Sequence, residues 1–365
     1  MQFTTPHDSF LKAIQIAERV VGKKESLPVL SCVVLDVGGN ECVVKSTNLE
    51  AGVEVRIHAE VKEKGVIAVP VSVLSQTIRS SSGDKITLKN DQGNLRVEAK
   101  GLKTVIKAVP HEEFPAIPRD MSENDISIPR ESLLSLFHSV SYAASASMIR
   151  PELGSVYLSI GDGMLTAVAT DSFRLAEKTT PFKGDVSGDV LIPLKHVQEI
   201  VHILERLSEA EITLSTTDAQ LSLSTDTLVF VSRVVDGTFP NYKEILPKKF
   251  TTEATLLKSD FAESLRKARI FSGSDQHVGF HVYPKKKVFD LTAQSAAIGE
   301  MSDSLETALT GEDIDVNFHI GYVADALQSI PSDSLVLGFS GAGKPLVMRG
   351  VGDNTFTYLA MPLNR

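Results

Sequence analysis

Lys45-Ser46-Thr47-Asn48-Leu49-Glu50 has a counterpart in Ala169-Thr170-Asp171-Ser172, with Thr47 and Thr170 123 residues apart. The same offset relates Pro6-His-Asp-Ser-Phe10 to Pro129-Arg-Glu-Ser-Leu133, and Val69-Pro70 to Ile192-Pro193. Three landmarks in one register indicate a duplicated unit rather than coincidence. A looser third copy follows at an offset of 128, where Phe261 answers Leu133 and Ile320-Gly321 answers Ile192-Pro193. The unit is a third of the chain, too long for a solenoid repeat and the right size for a domain. Phe114-Pro115 and Phe239-Pro240, followed by Pro118 and Pro247, read as linkers closing the first two copies. The expected domains are 1–119, 126–247 and 250–365.

Each copy repeats one pattern. Phe10, Ile14, Ala17 and Val21 form an apolar helical face in the first, and Leu133, Phe137, Val140 and Ala144 form one in the second. A further helix is expected from Val197, Ile200, Val201 and Leu204. Between helices lie alternating β-branched segments at 31–36, 42–46, 53–57, 85–89 and 95–99, with Gly38-Gly39-Asn40 and Asn90-Asp-Gln-Gly93 as hairpin turns. Two helices and hairpin-linked antiparallel sheets per copy make the fold class α+β.

The 365 residues are 42% hydrophobic and 23% charged with a mean hydropathy near zero, which excludes disorder and fibrous classes. No basic-then-apolar leader opens the chain, and no apolar run approaches the ~18 residues of a membrane span. Cys32 and Cys42 lack a CxxC or metal-ligand spacing and read as reduced core thiols, so a cytoplasmic protein is expected. Gly338-Phe-Ser-Gly-Ala-Gly343-Lys344-Pro345 has P-loop spacing and keeps an NTP-binding enzyme open as the alternative. Pro345 stands where that chemistry needs a Ser/Thr hydroxyl for Mg²⁺, and the following residues read as a strand. His196 and His202 are six apart, the wrong spacing for a ligand pair on one helix face. No catalytic residue, metal site or cofactor is assigned.

The net charge of −9 argues against a nucleic-acid partner only if the charge is evenly spread. It is not: the six helix-pattern segments carry +5 together and the remainder −14. Any one of these cations reads as a solvated helix face, but segregation over related domains suggests a helical surface that meets phosphate.

Taken in order, residues 22–28, Thr47-Asn48-Leu49-Glu50, Ala169-Thr170-Asp171-Ser172-Phe173-Arg174-Leu175-Ala176, Val235-Asp236-Gly237-Thr238-Phe239-Pro240-Asn241-Tyr242 and Tyr358-Leu-Ala-Met361-Pro362-Leu363 resemble the bacterial DNA polymerase III β sliding clamp family. The resemblance runs from Met1 to Arg365 and implies a DNA-clamp fold. It implies a homodimer ring of six domains around double-stranded DNA, bound without sequence preference, and a non-catalytic processivity factor. It implies Lys24, Arg79, Arg150 and Lys195 as DNA contacts, and Thr104 and Ile106 against Ile270 and Phe271 at the subunit interface. It implies a groove for short peptides of the replicative DNA polymerase, clamp loader and repair proteins, made by Thr170, Ser172, Phe173, Arg174, Leu175, Pro240, Ile245, Leu359, Met361, Pro362 and Leu363. Two departures from the family pattern, Ser172-Phe173 for Gly-His and Glu244 for a basic residue, bear on peptide preference.

Overall fold

The computed structural model describes residues 1–22, 27–118, 125–147 and 149–363. Among them are six α-helices, two for each sequence repeat: α1 (His7–Val20), α2 (Val71–Arg79), α3 (Arg130–Val140), α4 (Leu194–Leu204), α5 (Lys258–Phe271) and α6 (Ile320–Ala326). The rest of the regular structure is mainly antiparallel strand, as the α+β reading expects. The strands Gln2–Pro6, Gly65–Pro70, Asp125–Pro129 and Gly188–Pro193 each end on a proline that hands the chain directly to a helix. Proline lacks the N–H that a helix start leaves unpaired, and its fixed φ aligns the turn. In the third repeat the His319 ring takes over, Nδ1 accepting from Tyr322 N at the start of α6.

Each helix buries one face. Phe10, Ile14 and Ala17 are buried as expected, but α1 stops at Val20 and Val21 is extended. In α4 the buried stripe is Val197, Ile200, Ile203 and Leu204, leaving Val201 half-buried. The hairpin at Asn90–Gly93 closes on Gln92 and Gly93, both with positive φ (51° and 82°), the conformation that suits a two-residue turn to strand twist. Cys32 and Cys42 are buried free thiols. The P-loop expectation fails locally: Gly338 lies inside the strand Ser334–Phe339, Lys344 N closes a turn on Gly341 O, and the strand Leu346–Gly350 follows. No helix N-terminus faces a phosphate position there.

The chain groups into two compact units, Met1–Leu134 with Phe182–Val235 and Ser135–Pro181 with Asp236–Arg365. The cause is strand pairing between repeats. In the first unit Ala51–His58 pairs with Leu228–Arg233, joining the first repeat to the second. In the second, Arg174–Pro181 pairs with Phe356–Ala360, joining the second to the third. The first unit also holds a five-stranded sheet with Leu102–Ile106 as one outer strand, and the second a four-stranded sheet with Gly299–Ser304 as one outer strand. Phe261, Phe289, Phe318 and Phe339 pack around Phe280 to form the aromatic core of the second unit. No described helix is long and apolar enough to cross a membrane.

One buried charge stands out in the first unit. Glu199 of α4 is 5% exposed, neither carboxylate oxygen has a hydrogen bond among the described residues, and Lys195 Nζ stands 3.9 Å away. On the same helix His202 Nε2 donates to Gln15 O of α1. Burial pushes the Glu199 carboxyl up to about 7, with Lys195 and Arg19 opposing the rise. A raised carboxyl stabilises the fold fully below its unfolded value and loses that contribution as pH climbs through about 7. Glu199→Gln is therefore expected to raise thermal stability at pH 8, by about 3 kcal/mol at most, and to match the parent near pH 4.5. Melting curves at the two pH values check this; an equal shift at both refutes the assignment.

Candidate partner groove and nucleic-acid interface

The groove in the second unit is built on a tight turn. The Thr170 hydroxyl donates to Arg174 O (2.6 Å) and accepts from Ser172 N (3.1 Å). Asp171 Oδ1 accepts from Phe173 N (2.9 Å) and Arg174 N (3.0 Å). Ser172 takes φ 79°, a left-handed conformation that non-glycine residues adopt at a cost. The turn lifts Phe173 outward, 59% exposed, and directs Arg174 the other way.

Arg174, expected in the groove, serves as a strut within it. Its Nε pairs with Asp171 Oδ2 at 2.9 Å and its Nη1 with Asp325 Oδ2 at 2.6 Å, and its side chain is 13% exposed. The guanidinium sits 4.6 Å from the Tyr322 ring centre and 5.9 Å from that of Tyr142, within cation–π range. Tyr358 donates its hydroxyl to Tyr322 O, and the His319 ring lies tilted against that of Tyr322, centres 4.3 Å apart. Burial lowers the His319 pKa, with the nearby Arg174 charge adding to it, which suits a neutral capping ring. Burial also raises the Tyr142 and Tyr358 phenols. Asp171 lies inside a quoted motif, but Tyr142, Tyr322 and Asp325 carry no local sequence signal and sequence reading misses them.

The C-terminal tail forms the facing wall. Met361 N donates to Phe173 O (2.8 Å) and Leu363 N to Asn317 O (2.8 Å). Leu175 and Leu359, both expected in the groove, are buried with Val168 and Tyr242 in a floor against which Phe239, Leu246 and Met361 pack. Leu175 pairs directly with Leu359 across two central strands, so both side chains share one face of the sheet, the face covered by Tyr242. Pro240 and Ile245 are exposed, and Tyr242 ties their segment to that floor. Met361, Pro362 and Leu363 are half-buried. The Glu244 carboxylate accepts from Asn241 Nδ2 at 2.6 Å.

The expected DNA contacts are more dispersed. Lys24 lies outside the described residues. Arg79 ends α2 and pairs with Glu18 at 2.7 Å; Arg150 pairs with Glu152 at 3.0 Å; Lys195, 68% exposed, is the loosest. At the expected interface, Ile270 is 64% exposed and Phe271 half-buried near Gly299, beside the outer strand Gly299–Ser304 and exposed Ile298. Lys267 pairs with Glu263 on its own helix and with Asp303 on that strand, each at 3.2 Å. On Leu102–Ile106, Thr104 is half-buried, but Ile106 is 4% exposed and belongs to its own core, because alternation along the strand turns it inward. Val105, 50% exposed, is the apolar side chain this strand presents.

Three family profiles match consecutive stretches of the chain: DNA polymerase III beta subunit, N-terminal domain, over residues 1–118; central domain over 127–241; and C-terminal domain over 243–364. Curated relatives named "Beta sliding clamp" are similar over the full length of both chains, 25% identical in Vibrio cholerae and 24% in Pseudomonas putida. The fold is similar to the solved DNA polymerase III beta subunit of Thermotoga maritima, with TM-score 0.95 and 24% identity over 100% of this chain and 99% of that one. It is also similar to the Pseudomonas aeruginosa sliding clamp solved bound to griselimycin, with TM-score 0.94 and 23% identity over 100% of each.

Proposed function

The chain belongs to the DNA polymerase III beta subunit family, and on that premise we propose that two copies close head to tail into a ring around duplex DNA. It is a sliding clamp, a processivity factor of DNA replication that does no chemistry itself. The ring reading rests on one observation: each unit ends a sheet on an outer strand, Leu102–Ile106 in one and Gly299–Ser304 in the other, with exposed apolar residues on or beside it. Outer strands with free pairing groups are natural seams for joining two chains. Such a contact is heterologous and closes after two copies. The groove around Phe173, Ile245, Met361 and Leu363 then takes short linear peptides from the polymerase, clamp loader and repair proteins. A cytoplasmic location accords with a chromosomal DNA partner.

Contacts to phosphate alone give binding that ignores base sequence and falls steeply with salt. Replacing Lys24, Arg79 and Lys195 with alanine is expected to reduce the slope of log affinity against log salt by about 3 per protomer, at roughly 0.9 per phosphate contact. Near pH 4.5, where Glu199 is protonated and does not need the Lys195 charge beside it, the melting temperature should barely move, since Arg79 and Lys195 are both more than half exposed. The measurement is retention on nicked circular DNA across a salt series, with release after linearisation. Base-sequence preference in competition, or retention on linear DNA with open ends, refutes the reading.

A further inference from the structure

The turn that builds the peptide groove occurs twice. In the first unit Thr47 Oγ1 donates to Ala51 O (2.7 Å) and accepts from Leu49 N (3.1 Å), and Asn48 Oδ1 accepts from Glu50 N and Ala51 N. Leu49 has φ 79°, the value found at Ser172. The strand pairing is duplicated as well: Gly52 pairs with Val231 where Leu175 pairs with Leu359. The hydrogen bond that attaches the tail has its twin, Arg233 N to Glu50 O at 2.8 Å beside Met361 N to Phe173 O at 2.8 Å. Position by position, the first unit repeats the frame of the groove with other side chains.

That frame encloses a real cavity of about 380 Å³, within the range of small ligand sites, roughly 300–1,000 Å³. Its floor is apolar. Gly52 stands at the position of Leu175, and the linker's Ile117 takes the place of the missing side chain in the floor, its Cγ2 lying 2.8 Å from where a Cβ at position 52 would be. Val231 stands for Leu359, and Gln220 Nε2 holds the linker through Pro118 O at 3.1 Å. The rim is where the copies diverge. Glu50 and Arg233 replace Phe173 and Met361, both are exposed, and among the described residues neither forms an ion pair. Ala51 stands for Arg174, so the guanidinium strut is missing.

We propose that the first unit carries a second peptide-binding groove at the Thr47–Gly52 turn, which takes an extended segment of a partner protein with an apolar anchor flanked by a basic and an acidic residue. The apolar floor accepts the anchor, while Glu50 and Arg233 recognise the flanking charges by complementarity. A charged rim also discriminates against the uncharged motifs suited to the groove at Phe173, so the two sites select different segments. The inference goes beyond the partner groove already proposed and does not require that the ring encircle DNA.

The test uses the full-length protein with labelled alanine and methionine methyls and two acetylated, amidated probes, Lys-Leu-Ala-Leu-Glu and its neutral form Gln-Leu-Ala-Leu-Gln. Expected are shifts at the methyls of Ala51, Ala116 and Ala219, which line the cavity, and binding of the charged probe about tenfold tighter than the neutral one. Glu50→Gln with Arg233→Gln, both exposed and so compatible with folding, should erase that tenfold difference. A Gln-Leu-x-Leu-Phe peptide, added separately, reports on Met361 and thereby on the other groove. Shifts absent at millimolar probe, shifts confined to Met361, or a charge preference that survives the double substitution each overturn the second groove. Failure of the control peptide at Met361 instead overturns the first.

Discussion

A chain cut after Ala360 should still dimerise and encircle DNA, yet bind partner peptide at least thirtyfold more weakly. The cut removes Met361, which bridges the Leu175–Leu359 floor and the Phe173 backbone, and Leu363, which docks on Asn317. It also removes Pro362, which restricts the tail between them. Where many partners share one site, affinity concentrates in a few apolar anchors, and losing a central one costs about 2 kcal/mol or more, roughly thirtyfold. The fold survives because the strand Phe356–Ala360 and its pairing with Arg174–Pro181 are intact. Phe173→His is the companion variant: at 59% exposure Phe173 contributes little to the core, so peptide preference shifts while stability holds. Fluorescence anisotropy with a labelled Gln-Leu-x-Leu-Phe peptide measures both. Unchanged affinity in the shortened chain, with the dimer present, places the partner site elsewhere.

The second large effect is on assembly. Ile270→Ala with Phe271→Ala should yield a folded monomer of 39.5 kDa that no longer stays on circular DNA. Ile270 is 64% exposed at the end of α5, so its truncation leaves the core alone, whereas half-buried Phe271 packs toward Gly299 on the outer strand. Two interface anchors at about 2 kcal/mol each weaken one contact by about 4 kcal/mol, on the order of a thousandfold. Both contacts of the ring suffer the same loss. Ile270→Ala alone separates interface from folding, because it should weaken the dimer without changing the melting point. Sedimentation decides; a double variant that remains dimeric moves the interface away from α5.

What the sequence could reveal was what repeats locally. The offset between Thr47 and Thr170 is visible because each threonine, with Asn48 or Asp171 beside it, must make the same four hydrogen bonds within five residues. The prolines that end strands before helices were legible for a similar reason, since their chemistry is self-contained. Helix ends were less so: Val21 continues the apolar spacing of α1 although the helix has stopped, because periodicity does not mark where hydrogen bonding ends. The role of Arg174 was hidden altogether. Its second carboxylate, Asp325, lies 151 residues away, and no local pattern announces a guanidinium held between two carboxylates and two tyrosines. Strand registers were likewise out of reach, so nothing local tells that Leu175 and Leu359 form a buried floor rather than a rim, or that Ile106 faces its own core.

The pairing of Ala51–His58 with Leu228–Arg233 has a further consequence for the chain as it is made. Leu228 follows Val55 by 173 residues, so at ~5–20 residues per second the first strand waits roughly 10–35 s on the ribosome for its neighbour. During that interval its backbone N–H and C=O groups lie bare on one side, an invitation to pair with other nascent chains. Exposed Arg56 and His58 and partly exposed Glu54 place polar and charged side chains along this waiting edge and discourage such pairing. Residues 1–118 made alone would keep the edge bare indefinitely, so the first repeat is a complete sequence unit but an unfinished sheet.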